Sequence, residues 1–137
     1  MTRETVRVGC ASAFWGDSTA GAEQLVRHGN IDFLVFDYLA EITMSLLARA
    51  RARKPELGYV PDFVEAIAPL LPEIKQKGIR IVSNAGGINP QAAATALRRK
   101  AAAAACGLMP PALETRRMPF CLISGRSGAT ASTKSGT

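Results

Sequence analysis

The stretch that decides the fold is IVSNAGGINP, Ile81 to Pro90. β-Branched apolar residues run into Asn84, two glycines and an Asn-Pro pair. That order reads as a strand end, a tight turn and a helix start. Asn89 suits an N-cap and Pro90 a first helical residue, because proline lacks only an N–H that the first turn leaves unbonded. The turn either receives an anion at the helix N-terminus or only reverses the chain. Its glycines match neither G-x-G-x-x-G nor the G-K-[ST] of a P-loop.

Working outward, Ile79–Ser83 is a strand and Gln91 to about Ala105 a helix. Upstream, Thr5–Ser12 is a β-branched first strand. Thr19–His28 is a helix that Asp17 or Ser18 caps and Gly29 ends in a left-handed conformation. Ile31–Phe36 is an unbroken apolar run, which suits a strand buried on both faces. Tyr38–Arg53 is a helix with Leu39, Ile42, Leu46 and Leu47 as its inward stripe. Arg49, Arg51 and Arg53 fall in its last turns as a solvated, dipole-favoured end. Asp62 caps a segment from Phe63 to Lys77 that Pro69 and Pro72 must break, and Gly78 stops it. The β-α-β-α-α-β-α order predicts an α/β fold with a parallel sheet. A Rossmann-like open, doubly wound sheet is the first choice and an opened part of a (β/α) barrel the second.

Composition narrows the class. The chain has 137 residues, 47% hydrophobic and 20% charged, as in one soluble globular domain. No apolar run is long enough to span a membrane, and the N-terminus lacks the apolar core of a secretory signal, so the expected location is cytoplasmic. Cys10, Cys106 and Cys121 form no paired motif and share the chain with one histidine, His28. That excludes a four-ligand structural zinc site and a disulfide framework; Cys10 is expected as a small buried hydrophobe. The net charge of +6 has a local origin. Met1–Leu97 balances ten basic against ten acidic residues, whereas Arg98–Thr137 holds seven basic residues and only Glu114. The excess marks a tail, so nucleic acid is not an expected partner.

In parallel α/β folds ligands bind outside the carboxyl ends of the strands. Those ends place Gly16 and Asp17 after the first strand, Asp37, Tyr38 and Glu41 after the second, and Asn84, Gly86, Gly87 and Asn89 after the third. Asp37 and Glu41 are the candidate catalytic residues. Four apart, they share a face if both are helical, and two carboxylates could bind Mg²⁺ or divide acid and base roles. Asp37 as a helix cap is the competing reading. Gly16, Asp17, Tyr38, Asn84, Gly86, Gly87 and Asn89 are the candidate ligand-binding residues. No Ser/His/Asp triad is present, which disfavours covalent acyl transfer, and the residues name no cofactor.

Three stretches, RVGCASAFWGDS, IDFLVFDYLAEITMSLLARARARKPELGYVPDF and IRIVSNAGGINPQAAATAL, occur in this order and together resemble the start of the acyclic terpene utilisation AtuA family. The resemblance covers about Val6 to Leu97. It implies an α/β domain with a role in bacterial breakdown of citronellol- or geraniol-type compounds, on a carboxylate or CoA-thioester intermediate. It carries no assigned catalytic residues, and family members are substantially longer. A non-catalytic ligand-binding or assembly subunit, and a non-functional fragment, are the alternatives. Residues 98–137 depart from the family pattern: a helix continues, then Ala, Pro, Ser and Gly dominate, and only Phe120–Ser124 could form a short strand. The α/β region is therefore expected to be truncated, with an exposed sheet edge that invites homo-oligomers. A frame-shifted origin for the tail predicts that another reading frame beyond codon 98 continues the α/β pattern; DNA with no such frame overturns it.

Overall fold

The computed structural model describes residues 5–106 and 120–122. Four parallel strands, β1 (Val8–Ser12), β2 (Phe33–Phe36), β3 (Arg80–Ser83) and β4 (Phe120–Leu122), lie side by side in chain order. The connections are α1 (Ala20–His28); α2 (Glu41–Arg53), α3 (Pro61–Ile67), a 3₁₀ turn (Ala68–Leu70) and α4 (Leu71–Lys77); and α5 (Pro90–Cys106). The expected parallel α/β sheet forms, and the short strand expected within 120–124 joins it beside β3. The other residues beyond Cys106, with the basic and low-complexity tail assigned to them, lie outside the described residues, as do Met1–Glu4. No helix among the described residues is long and apolar enough to cross a membrane.

Strand order decides where the helices go. Parallel strands joined by right-handed crossovers in chain order carry every connection on the same face. The sheet is the expected open parallel one, and among the described strands the order never reverses, so these units are wound in one direction. Burial follows. Gly9 and Ala11, Leu34 and Phe36, Ile81 and Ser83 are buried under helices, whereas Val8 and Cys10 are exposed and Phe33, Val35 and Val82 half-buried. β2 is thus covered on one face, not two as its unbroken apolar run suggested. Cys10, expected inside, is an exposed free thiol on the open face for the same reason. The Arg80 guanidinium lies 5.7 Å from the Phe33 ring centroid and shields part of that face.

The core is built from α1, α3 and the turn after it, α4 and α5 against the buried face. Val26, Leu34, Phe63, Ile67, Ile74 and Leu97 are its fully enclosed side chains. Pro69 and Pro72 divide the second crossover as anticipated, since proline removes an N–H and crowds the preceding turn. Gly78 is left-handed, φ 67°, and ends α4. Gly29 is extended instead (φ −77°, ψ 141°); a Cβ there would meet the Leu25 carbonyl oxygen at 2.5 Å, so close approach to α1 explains it better than a left-handed cap.

α2 departs most from the sequence reading. Its inward residues are Thr43 and Leu47, while Ile42 and Leu46 are 72% and 50% exposed. The helix packs on the loops at the carboxyl ends of the strands, so Thr43 and Leu47, at i, i+4 spacing, face inward and Arg51, one turn further on, reaches the loop from solvent. Arg51 is exposed, as expected, and donates from Nη1 to the Ile88 carbonyl at 2.6 Å.

Two clasps hold β1 to its surroundings at the amino end. The Arg7 backbone N–H donates to Asp32 Oδ2 at 2.8 Å, and its guanidinium reaches Asp32 Oδ1 at 3.2 Å. In return Asp32 and Phe33 N–H groups donate to the Arg7 carbonyl. The arginine holds the Asp32 carboxyl below the usual aspartate value, chiefly through the side-chain hydrogen bond.

Gly87 tests this architecture. Its φ is 51°, and a Cβ would stand 2.5 Å from Leu47 Cδ1 and 2.7 Å from the Gly58 carbonyl oxygen. Left-handed strain and overpacking each cost about 1–3 kcal/mol, so Gly87→Ala is expected to destabilise the fold by about 3 kcal/mol in urea unfolding. A loss below about 1 kcal/mol would show that the α2–loop contact yields freely.

Candidate functional site at the carboxyl ends of the strands

Three loops converge where β1, β2 and β3 end. The first is Ala13–Ser18. Asp17 stiffens it: its Oδ2 accepts from the Ala13 N–H at 3.0 Å and its Oδ1 from the Ser18 N–H at 2.7 Å. Thr19 holds the N-cap position of α1 without a side-chain cap bond, so neither Asp17 nor Ser18 is the cap; the Ser18 Oγ accepts from the Ala20 N–H at 3.2 Å. Gly16 sits in the exposed turn that the Asp17 N–H closes onto the Phe14 carbonyl.

The second loop carries Asp37 and Tyr38. α2 begins only at Glu41, so Asp37 lies outside the helix, and the expectation of two carboxylates on one helical face fails. Ala40 holds the N-cap position, so Asp37 is not the cap either. Asp37 engages β3's loop instead. The Asn84 amide donates from Nδ2 to Asp37 Oδ1 at 2.6 Å, and its Oδ1 accepts the Tyr38 N–H at 2.8 Å. Adjacent parallel strands place Phe36 beside Ser83, so the residues that follow them must meet. Glu41 is exposed in the first turn of α2, where an acid favours the dipole.

The third loop answers the question posed by the double glycine. The Ala85 N–H donates to Ser83 Oγ, Gly87 to the Asn84 carbonyl, Ile88 to the Gly58 carbonyl and Asn89 to the Gly86 carbonyl. These N–H groups are consumed inside the protein, and Gly86 and Gly87 are buried. The turn is a packed floor beneath α2 more than an open anion cradle. Asn89 precedes α5 as expected, yet its amide donates to the Pro55 and Leu57 carbonyls and ties down the loop after α2.

A second polar group gathers on the helix-covered side. Tyr38 is buried and stacks on Phe36 at 5.9 Å, with Phe63 edge-on at 6.3 Å. Burial pushes its hydroxyl above the ordinary tyrosine value; the Ser12 hydroxyl beside it opposes this, and the Asp62 and Asp17 carboxylates add to it. Asp62, expected as a helix cap, instead accepts from the Trp15 indole N–H at 3.0 Å, and Val60 holds the N-cap position. Sequence reasoning did not assign Ser12 or Asp62 to the site. Ser12 ends a strand whose alternation a bulge shifts between Cys10 and Ser12, a feature with no glycine or proline to mark it. Asp62 is found only through a partner 47 positions away.

No group of three or more His, Cys, Asp or Glu side chains close enough to hold a metal ion occurs among the described residues. The family model described as "Acyclic terpene utilisation family protein AtuA" matches residues 6–110, more than half of the chain. The chain belongs to the AtuA family. The match begins at the start of β1 and passes beyond Leu97, taking in all of α5. All three converging loops of this AtuA-family chain lie within it. No curated protein and no solved structure matches the chain.

Proposed function

We propose that this AtuA-family chain acts in the catabolism of citronellol- or geraniol-type compounds in the cytoplasm. Its ligand is a small carbonyl-containing intermediate, not a nucleic acid. The observation that carries this reading is the Asp37–Asn84–Tyr38 arrangement. One amide orients Asp37 through a 2.6 Å bond and is itself fixed by the Tyr38 N–H, while Asp37 stays exposed. A carboxylate held in this way, with its second oxygen unbonded among the described residues, is suited to abstract a proton from the carbon next to a carbonyl. Glu41, exposed at the start of α2, supplies a second carboxylate for proton return or for holding a metal ion. Gly16 and Asp17 form the rim, and Gly86, Gly87 and Asn89 the floor. The acids at these strand ends repel a free carboxylate, so the group facing Asp37 is the neutral carbonyl of a thioester, with any CoA phosphates held away from these acids.

The test is turnover of citronellyl and geranyl thioesters by the full chain. Asp37→Asn is expected to lower kcat by about 10²- to 10⁴-fold, the range general-base catalysis supplies, and Glu41→Gln to lower it less. Wild-type protein inert on both thioesters, or full activity in both variants, overturns the catalytic reading.

The open sheet face supports a second reading, a binding or assembly subunit. Val8 is 62% exposed on edge strand β1 beside half-buried Phe33 and Val35. Exposed apolar edges favour pairing with another copy. Sedimentation is expected to show concentration-dependent oligomers that Val8→Lys shifts towards monomer. A monomer with a sharp, concentration-independent melt counts against assembly through this edge.

A further inference from the structure

Nothing among the described residues covers the outer face of α2. Thr43 and Leu47 turn towards the loops, while Ile42, Leu46, Arg49 and Arg53 follow at i, i+4, i+7 and i+11, all exposed, which puts them on one outward stripe. Ile42, at 72%, is the most exposed large apolar residue described. The stripe is apolar near Glu41 and cationic at its far end. Arg49, Arg51, Arg53 and Lys54 are four of the ten basic residues of the charge-balanced stretch Met1–Leu97, gathered within six positions. Among the described residues no carboxylate pairs with any of them, although Arg7, Arg27, Lys77 and Lys100 each hold one and Glu56 follows close behind Lys54. The helix dipole accounts for cations at this end but not for their lack of counter-charge. Arg49 and Arg53, four apart, repel each other, a cost that an anion between them reverses. Arg51 is engaged with the Ile88 carbonyl, so Arg49, Arg53 and Lys54 are the cations left for an outside anion.

We propose that this stripe binds the carrier half of a CoA thioester, its phosphates between Arg49, Arg53 and Lys54 and its pantetheine arm along Leu46 and Ile42. The thioester part of this assignment rests on the function proposed above; the phosphate part rests on the unpaired cations. Length favours CoA over a shorter anion. From Glu41 to Arg53 the helix rises about 18 Å. The pantetheine arm has the bond count of about four residues, so when extended it spans about 15 Å from sulfur to the first phosphorus. Phosphates anchored at the arginines therefore deliver the sulfur to the Glu41 end of the helix, a short loop away from Asp37. The same anchoring keeps the phosphates more than a Debye length from both acids. Guanidinium groups grip phosphate oxygens in pairs, and the arm's methyl and methylene groups cover Ile42 and Leu46.

Isothermal titration of the full chain with free CoA, pantetheine and inorganic pyrophosphate tests the assignment. CoA is expected to bind saturably, and pantetheine and pyrophosphate each at least tenfold more weakly, since each keeps only part of the contacts. Arg49→Gln and Arg53→Gln together, solvent-facing changes checked for folding by circular dichroism, should weaken CoA about 10- to 100-fold, as loss of charge-assisted hydrogen bonds does. Added salt should weaken it in the same direction. Lys75→Gln, which removes an exposed cation of α4, should leave the affinity unchanged. No binding of CoA, or pantetheine or pyrophosphate bound as tightly as CoA, overturns the proposal. So does an affinity that the arginine pair leaves intact or that Lys75→Gln lowers equally, the last showing a general anion patch. Sedimentation with phosphatidylglycerol vesicles in the absence of any CoA binding would make the stripe a membrane-facing surface and overturns it too. If CoA fails to bind while thioester turnover still depends on Asp37, this inference falls alone. If CoA binds through the arginines while thioesters are inert, the catalytic reading falls instead.

Discussion

The contact on which the strand-end loops depend is backbone against backbone, Gly58 against Gly87. The Gly58 carbonyl accepts the Ile88 N–H at 3.0 Å, and the Val60 N–H returns to the Ala85 carbonyl at 2.8 Å. Both glycines have positive φ, and neither has room for a Cβ without crowding the other loop or α2. This pairing brings the loop after α2 onto the loop after β3. It sets α2 above the strand ends through Leu47 and Arg51, and it holds Asn84 where it can reach Asp37 and Tyr38. Gly87 of the double glycine is thus required by packing, and its chemical importance is indirect.

Much of the fold is legible in the sequence because its signals are local. Alternation, proline breaks and glycine stops place each strand and helix within a few residues, and Pro69 and Pro72 divide the second crossover where they must. What the residues conceal is which face an element buries. β2 reads as buried on both faces, yet only Leu34 and Phe36 are enclosed, because strand order puts all crossovers on one side. α2 misleads for a related reason: its leucines suggest a stripe facing the sheet, whereas its partner is a pair of loops, which Thr43 and Leu47 suit better.

The site shows the same division. Strand-end logic finds Asp37, Tyr38 and Asn84, which the structure brings together. It assigns Asp17 and Asp62 to caps, because a lone acid before a helix has no other local meaning. Their true partners, the Ala13 N–H and the Trp15 indole, become visible only when the loops meet. Chain separation, not chemistry, hides them.

The clasp between Arg7 and Asp32 gives the β1–β2 pair a polarity. Its amino end is fastened by charge and its carboxyl end by the neutral bond from the Asp37 N–H to the Ser12 carbonyl at 3.1 Å. Asp32's carboxyl is lowered in the folded protein, so its contribution is present above the ordinary aspartate value and lost as pH falls through the folded one. Both partners are largely solvent-facing, so salt screens them as well. Acid or salt therefore loosens the pair first at the end remote from the loops. The register that aligns Ser12 with Phe36 is the last to let go, so the end that carries the loops outlasts the end that anchors it.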